Sequence, residues 1–508
     1  MSSTTIGIDV GGTNTDAVRL CGGRVAATVK VPTTPDIQTG LLAALAAVRG
    51  DDLVSRVHVG TTAFTNALVE RRHLERAAAI RVGAPVSESL PPMIDWPDDL
   101  RSVVRNPAFF VRGGREYDGR PIRRLDRSEI DRVAAALADS GVTQAAVTAV
   151  FGTSYPEDEL RVAEWLRRAH PELGVSLSHR IGRFGILERE NATLLNAMLR
   201  PLATRTVSAY RAAAPGALFI SQNDGTVMRA DQAAELPVFT LASGPTNSLR
   251  GAALLTGLAD AIVFDVGGTT TDVGRLRGGY PQLAGIDLEV AGVRTNFRMP
   301  DLCSIGVGGG SLVDPETGAV GPRSVGFRLT EEALVFGGPT LTLTDVAVAA
   351  GRVEIGERGR VEELGRRLIG EVDAHLRDRF ARLLEDFESM GQRLPVVLVG
   401  GGAPLVTHLF IELGREVVSP EHANVANAYG AAIAQVGGEV DLTFSLATLS
   451  RADALARAER EAQRRAVEAG AQPGSVRTVE LEDAALTYLA SDALRVRAKA
   501  VGDLEPAP

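Results

Sequence analysis

One eight-residue pattern occurs twice in the chain and constrains the fold more than any other feature. It reads Asp9-Val10-Gly11-Gly12-Thr13-Asn14-Thr15-Asp16 and, 256 residues later, Asp265-Val266-Gly267-Gly268-Thr269-Thr270-Thr271-Asp272. Each copy lies between two strand-like runs, residues 5–10 and 15–20 in the first, 261–266 and 271–276 in the second. Paired glycines admit positive φ and close backbone approach, so their N–H groups can converge on a phosphate. Thr13 and Thr15 add hydroxyl donors, and an aspartate at the strand end makes sense beside phosphate if it holds Mg²⁺ directly or through water. In the P-loop and the Rossmann fingerprint the glycine turn opens a helix, which this one does not. A single copy reads equally well as a plain hairpin turn. Two copies read as an internal repeat, two similar α/β halves that grip both ends of a triphosphate.

The 508 residues predict two to four domains at roughly 100–200 residues each. With 54 basic and 63 acidic residues the net charge is −9, and no basic stripe is visible, so no nucleic-acid partner is expected. Cys21 and Cys303 form neither a metal-spaced cluster nor a disulfide framework and read as small buried apolar residues. There is no signal-like N-terminus and no apolar run near about 18 residues, which predicts no membrane association and a cytoplasmic protein.

The first strands form a meander, with a third at 25–31 ending at Pro32. A helix is expected over 36–49, a buried strand over 54–59 and a helix over 61–72. Residues 85–125, rich in Pro, Arg and Asp, read as an insertion. Strand and helix then alternate to residue 178, followed by a long helix over 187–213 interrupted near Pro201. The second half begins with a strand near Leu218. A late strand, 394–399, enters Gly400-Gly401-Gly402, suited to a flat approach by adenine or ribose, or else a flexible loop. A small-residue helix follows over 424–436, then a charged Ala-rich helix over 451–469, and Gly502 to Pro508 is expected to be disordered. The expected division is 1–185 with its insertion at 85–125, 186–437, and a helical extension over 438–508.

In order, the chain shows a phosphate-1 segment (9–16), a linking helix (188–199), a phosphate-2 segment (265–272), an adenosine glycine motif (399–404) and a second small-residue helix (423–434). This order resembles the superfamily of actin, sugar kinases and heat-shock chaperone ATPases. The resemblance implies two ribonuclease-H-like domains hinged about two linking helices, with a nucleotide cleft between them. Finer motifs resemble the hydantoinase A/5-oxoprolinase family: Gly60-Thr61-Thr62-Ala63-Phe64-Thr65-Asn66-Ala67-Leu68-Val69-Glu70-Arg71, and Glu188-Arg189-Glu190-Asn191-Ala192-Thr193 with Asn196-Ala197 and Pro201. So do Gln222-Asn223-Asp224-Gly225, Ser243-Gly244-Pro245, Gly306-Val307-Gly308-Gly309-Gly310-Ser311, Val320-Gly321-Pro322-Arg323-Ser324 and Thr344-Asp345. Two departures stand out. The family's histidine before Gly-Thr-Thr is Val59 here, with His58 one place earlier, and its Pro-Gly-Pro-x-Cys-Tyr run is replaced by Gly326-Phe327-Arg328-Leu329-Thr330. The long C-terminal region of full-length members is missing, which suggests a short branch of the family.

What the resemblance implies is ATP-dependent ring opening of a cyclic amide such as a hydantoin or 5-oxoproline, the carbonyl oxygen being phosphorylated so that water can attack. On that reading Asp9 and Asp265 organise Mg²⁺ and water. Gly11, Gly12, Thr13, Asn14, Thr15, Gly267, Gly268, Thr269 and Thr270 cradle phosphates, and Gly400, Gly401 and Gly402 face the adenosine. Gly60, Thr61, Thr62 and Asn66 lie near the lactam. Glu188 is either a positioning group or base, or an ordinary helix-surface ion pair. His58 reads as packing, and Asp16 and Asp272 as turn caps whose repetition favours function. A hydantoinase-B-like or thiohydantoin-processing partner subunit is expected, and a homo-oligomer is open. The alternatives are a small-molecule kinase, which the Gly-Thr-Thr-x-x-Thr-Asn segment fits less well, and a non-catalytic chaperone-like ATP switch, for which a tail of about 70 residues is short.

Overall fold

Each copy of the repeated pattern folds as the turn of an antiparallel hairpin: Thr4–Val10 pairs with Asn14–Cys21, and Ala261–Val266 with Thr271–Arg277. Both turns close alike, by the Gly11 N–H to the Asn14 carbonyl (3.1 Å) and by the Gly267 N–H to the Thr270 carbonyl (2.9 Å). A four-residue turn sets Asp9 opposite Asp16 and Asp265 opposite Asp272, which is why the two aspartates recur at one spacing. The computed structural model describes residues 4–11, 14–32, 37–50, 52–105, 107–285, 288–388, 392–447, 449–486 and 493–505. Gly12 and Thr13, both expected at the phosphates, lie outside the described residues.

The first hairpin stands in a nine-stranded sheet and the second in a six-stranded one. In both, the first hairpin strand also pairs in parallel with a later strand, Val54–Thr61 in one half and Val396–Val399 in the other. This shared plan is the duplicated α/β arrangement of actin-like ATPases. Val396–Val399 is an unbroken buried apolar run, and Val54–Thr61 is buried throughout from Val57 to Thr61, as strands covered on both faces are.

The insertion is larger than the stretch 85–125. Ala77–Ala84, Ala108–Arg112, Gln144–Ala149 and Gly174–Leu177 make a separate four-stranded sheet, parallel throughout and packed on its own core. The chain then returns to the first half: Ala217–Ser221 pairs in parallel with Val54–Thr61, and Thr226–Arg229 follows it. A boundary at 185/186 therefore cuts a unit whose sheet is finished only after residue 229. The helix Ile186–Ala213 runs through Pro201 without a break, its segment 189–199 buried all round. Packing on every side compensates for the backbone hydrogen bond that proline cannot donate.

The tail is not only helical. Gln435–Ser445, Ala493–Gly502 and Arg477–Ala485 are strands that extend the first sheet, and Arg451–Glu468 lies on them through Ala454, Ala458, Ala462 and Ala466. Beyond Gly502 the chain is held by a bridge between Ala471 and Leu504, where disorder was expected, and residues 506–508 lie outside the described residues.

The helix that leads into the second hairpin is Ser243–Thr256, and it crosses the small-residue helix Ala426–Ala432. A Cβ on Gly251 would lie 1.9 Å from the Ala426 carbonyl oxygen, and one on Gly430 1.9 Å from that of Asn247. Only glycine at both positions lets the two backbones approach so closely. Ser243–Thr256 therefore holds the linking position that the sequence reading gave to 188–199. The latter segment instead packs against the insertion's sheet. Among the described residues no helix is long and apolar enough to cross a membrane.

Candidate functional site

Asp9 is 5 % exposed, and its carboxylate accepts from Asn247 Nδ2 on Oδ1 (3.3 Å) and from Asn427 Nδ2 on Oδ2 (3.1 Å). Burial, with the neighbouring Asp16 and Asp265 charges, pushes its pKa up to about 7 against the two amide hydrogen bonds. Asn427 Nδ2 also donates to Asp16 Oδ2 at 2.9 Å, and Lys30 Nζ lies 2.6 Å from Asp16 Oδ1. In the second hairpin Ser248 Oγ donates to Asp265 Oδ2, and burial raises the Asp265 carboxyl. Asp272 is raised to about 6, chiefly by burial and further by Asp265, against a hydrogen bond with Ser304. Consecutive residues of one helix, Asn247 and Ser248, thus hold one aspartate from each half.

A glycine makes room for each aspartate. Gly60 stands opposite Asp9 on the parallel strand, and a Cβ there would lie 2.3 Å from Asp9 Oδ1 and 2.4 Å from Asn247 Nδ2. Gly400 follows Val399, the partner of Asp265; its φ is +86°, and a Cβ would lie 2.3 Å from Asp265 Oδ1. The Gly402 N–H donates to the Val266 carbonyl at 2.7 Å, which fixes the glycine cluster against the second hairpin. A Cβ on the exposed Gly401 would meet nothing within 4 Å, so one face of the cluster is open. The 306–311 loop seats the turn from the other side: Gly309 and Gly310 N–H donate to the carbonyls of Gly267 (3.0 Å) and Gly268 (2.7 Å). Thr269 and Thr270 stay in that turn, while Asn14 and Thr15 open the second strand of the first hairpin.

Other expected residues are differently placed. Thr61 is buried with its hydroxyl 3.1 Å from the Tyr210 hydroxyl, which commits it to the core rather than to a ligand. Thr62 Oγ1 donates to the Val10 carbonyl at 3.3 Å, and Asn66 is exposed one turn along the helix Ala63–Val69. Glu188 lies in the first turn of Ile186–Ala213 beside Gly185 and Asn296, with no hydrogen bond or ion pair to either hairpin among the described residues. Its neighbours in the motif are structural: Glu190 pairs with Arg81, Asn191 accepts from Trp96 Nε1 (2.7 Å), and Arg189 Nε donates to Ser178 Oγ (2.9 Å). His58 is buried with Nδ1 2.8 Å from the Ala431 carbonyl, and burial lowers its pKa to about 4, so it packs the second linking helix as expected. Cys21 and Cys303 are free and half-buried, and burial raises the Cys303 thiol.

Asn247, Ser248 and Asn427 are the site residues that the sequence reading missed. The first two follow Ser243-Gly244-Pro245 after one residue, Thr246, and the third sits in the small-residue helix. A polar side chain within each tightly packed, glycine-containing helix was the available signal.

The site is suited to Mg²⁺ with a triphosphate. Four aspartates converge from two hairpins, and the buried Asp9 carboxyl is raised in part by the other charges, an arrangement that a divalent cation relieves. Among the described residues no group of three His, Cys, Asp or Glu side chains could hold a metal ion by itself. Mg²⁺ characteristically takes one or two carboxylates and completes its shell with phosphate and water.

Residues 5–170 match the hydantoinase/oxoprolinase N-terminal region, and residues 189–357 match hydantoinase/oxoprolinase. The acetophenone carboxylase gamma subunit of Aromatoleum aromaticum is 27 % identical over 399 residues, 69 % of this chain and 53 % of that protein. 5-Oxoprolinase 1 of Arabidopsis thaliana is 25 % identical over 371 residues, 64 % of this chain and 27 % of that protein. The chain thus spans about half of the first relative and about a quarter of the second. The ATP-dependent caprolactamase of Pseudomonas jessenii shares the fold with a TM-score of 0.76 at 19 % identity, covering 99 % of this chain and 88 % of that one. Nucleotide-free acetone carboxylase gives a TM-score of 0.69 at 19 % identity, covering 100 % and 89 %. The duplicated hairpins, the glycine-seated aspartates and these matches together place the chain in the hydantoinase/oxoprolinase family.

Proposed function

We propose that the chain binds ATP with Mg²⁺ between its two hairpins and transfers the γ-phosphoryl group to the carbonyl oxygen of a cyclic amide. The observation that carries this reading is the pair of glycine-seated aspartates, Asp9 and Asp265, tied to adjacent residues of one linking helix. Phosphoryl transfer needs positioning and charge neutralisation more than covalent chemistry. The backbone N–H groups of the two turns orient the phosphates, and Gly400 to Gly402 offer the adenosine a surface without side chains. Asp9 and Asp265 are the carboxylates that would hold Mg²⁺, whose bound charge offsets that of the phosphates. Asn247 and Asn427 fix the direction of the Asp9 oxygens, and Asn66 is the exposed polar group of the Gly-Thr-Thr segment available to the substrate.

In the step proposed, the amide oxygen forms a bond to the γ-phosphorus as the bond to ADP breaks. Water then adds to the activated carbon, the ring C–N bond breaks with the amine as leaving group, and a second water displaces inorganic phosphate from the carbon of the resulting acyl phosphate. A partner subunit would perform that hydrolysis, in line with a relative that is itself a gamma subunit. The carboxylase relatives favour a second reading, in which a ketone's enol oxygen receives the phosphoryl group.

ATP hydrolysis by the purified chain, measured with panels of cyclic amides and of ketones, tests both. Stimulation by at least one cyclic amide is expected. Stimulation by ketones alone selects the second reading, and hydrolysis indifferent to every compound counts against both. Co-purification of a second subunit tests the partner, and full ring-opening activity from the chain alone would contradict it.

A further inference from the structure

A cavity of about 580 Å³ lies apart from the hairpins, between the 179–184 segment, the 222–226 turn and the strand Gln435–Ser445. Arg180, Arg183, Arg298 and Arg465 line it, Arg180 being paired with Glu235 at 3.2 Å. Arg298 is 5 % exposed. Its Nη2 donates to Glu480 Oε1 at 3.0 Å and its Nε lies 2.6 Å from Glu439 Oε1, but Nη1 is buried with no hydrogen-bond partner among the described residues. Among the described residues the Arg183 guanidinium reaches only Glu439, at 3.5 Å, and Asp441, at 3.9 Å. Asp441 is claimed more closely by Arg495 (2.5 Å) and Arg497 (3.4 Å). Four guanidinium groups therefore share three carboxylates, Glu439, Asp441 and Glu480, which leaves one positive charge in excess in a largely desolvated place.

The remaining charges nearby are paired. Lys499 Nζ lies 2.8 Å from Asp224 Oδ2, and Arg465 Nε lies 3.2 Å from Glu461 Oε1. His179 lines the cavity with Nδ1 2.7 Å from Glu159 Oε2, and its Nε2 has no protein partner among the described residues. Phe184 and Phe239 add apolar wall.

A buried guanidinium nitrogen without a partner is costly unless a ligand satisfies it. The planar fork of arginine matches a carboxylate. A single excess positive charge suits a monoanion better than a phosphate dianion. We propose that this cavity binds a small organic molecule bearing one carboxylate, which accepts from Arg298 Nη1 and from Arg183, with His179 Nε2 as a further polar contact and the molecule's body against Phe184 and Phe239. The cavity is coupled to the nucleotide site through Asn223, whose carbonyl accepts from Thr246 Oγ1 (3.1 Å) on the helix that carries Asn247 and Ser248.

Calorimetric titration of the whole chain without nucleotide tests this independently of the ATP reading. The probes are the monocarboxylates 5-oxoproline, benzoate and hexanoate, the uncharged lactam 2-pyrrolidone, and inorganic phosphate. Saturable binding of at least one carboxylate is expected, weakened about tenfold or more in Arg183→Gln and in Arg298→Gln, with 2-pyrrolidone much weaker than 5-oxoproline. Arg298→Gln leaves Glu439 and Glu480 short of a partner, so Arg183→Gln with an unchanged melting temperature is the deciding variant. Failure of all three carboxylates to bind, undiminished binding in Arg183→Gln, or binding of phosphate alone would overturn the proposal.

Discussion

Asp9 is where the charge of the site is most concentrated, and its protonation makes a prediction. Its pKa of about 7 lies above the ordinary 3.8, so the folded chain binds this proton more tightly than the unfolded one. Its contribution to stability is therefore fully present below about pH 3.8 and is lost as pH rises through about 7. For a side chain buried to this degree, three pKa units correspond to a few kcal/mol, roughly. Thermal midpoints of the nucleotide-free protein should fall over that pH window, Asp9→Asn should flatten the fall, and added Mg²⁺ should reduce it. A wild-type midpoint independent of pH from 4 to 8 would contradict this. The glycines predict more sharply still. Gly60→Ala and Gly400→Ala each drive a methyl into an aspartate oxygen, so each should cut ATP hydrolysis by about tenfold to a hundredfold while leaving the fold intact. Circular dichroism and steady-state hydrolysis on the two variants check this, and wild-type rates would exclude the placement of these aspartates.

At the level of elements, the crossing of Ser243–Thr256 over Ala426–Ala432 has no spare volume. Gly251→Ala or Gly430→Ala should destabilise by about 1–3 kcal/mol through overpacking, read as a shift in the denaturation midpoint. The buried pair Arg81–Glu190 behaves differently, because removing one partner strands the other charge. Glu190→Leu alone should cost about 3–5 kcal/mol, and adding Arg81→Met should recover most of it. These two cases also show what was legible. The hairpins, with their period-2 strands and repeated aspartates, could be read because turn chemistry is local. The linking helix was misassigned because the charged run Glu188-Arg189-Glu190-Asn191 looked like chemistry. Glu190, Arg189 and Asn191 are instead satisfied by Arg81, Ser178 and Trp96, partners outside the helix that no local pattern announces. The insertion's first strand, Ala77–Ala84, is rich in small residues, with only Ile80 and Val82 β-branched. The tail strand Arg477–Ala485 lies at the sheet edge, and its charged residues, Arg477, Glu480, Glu482 and Asp483, mask the short apolar alternation of Val479 and Leu481.

In the molecule as a whole, the tail completes the first half. Gln435–Ser445 is paired along its length with Ala493–Gly502, and the helix Arg451–Glu468 covers both. A chain cut after Ser445 should lose the cooperative melting of the first half in differential scanning calorimetry, whereas an unchanged transition would show the tail to be an appendage. The two hairpins, the hinge helices and the open glycine face serve one proposed act, transfer of phosphate to a carbonyl oxygen. The most direct test follows an atom. A cyclic amide that stimulates ATP hydrolysis is labelled with ¹⁸O at its ring carbonyl and turned over with ATP and Mg²⁺, and the released phosphate is analysed by mass. Attack of the second water on the carbon of the acyl phosphate expels phosphate with the labelled oxygen, so ¹⁸O-phosphate is the result expected. Ring opening that releases only unlabelled phosphate would contradict phosphorylation of the carbonyl oxygen followed by attack of water at carbon.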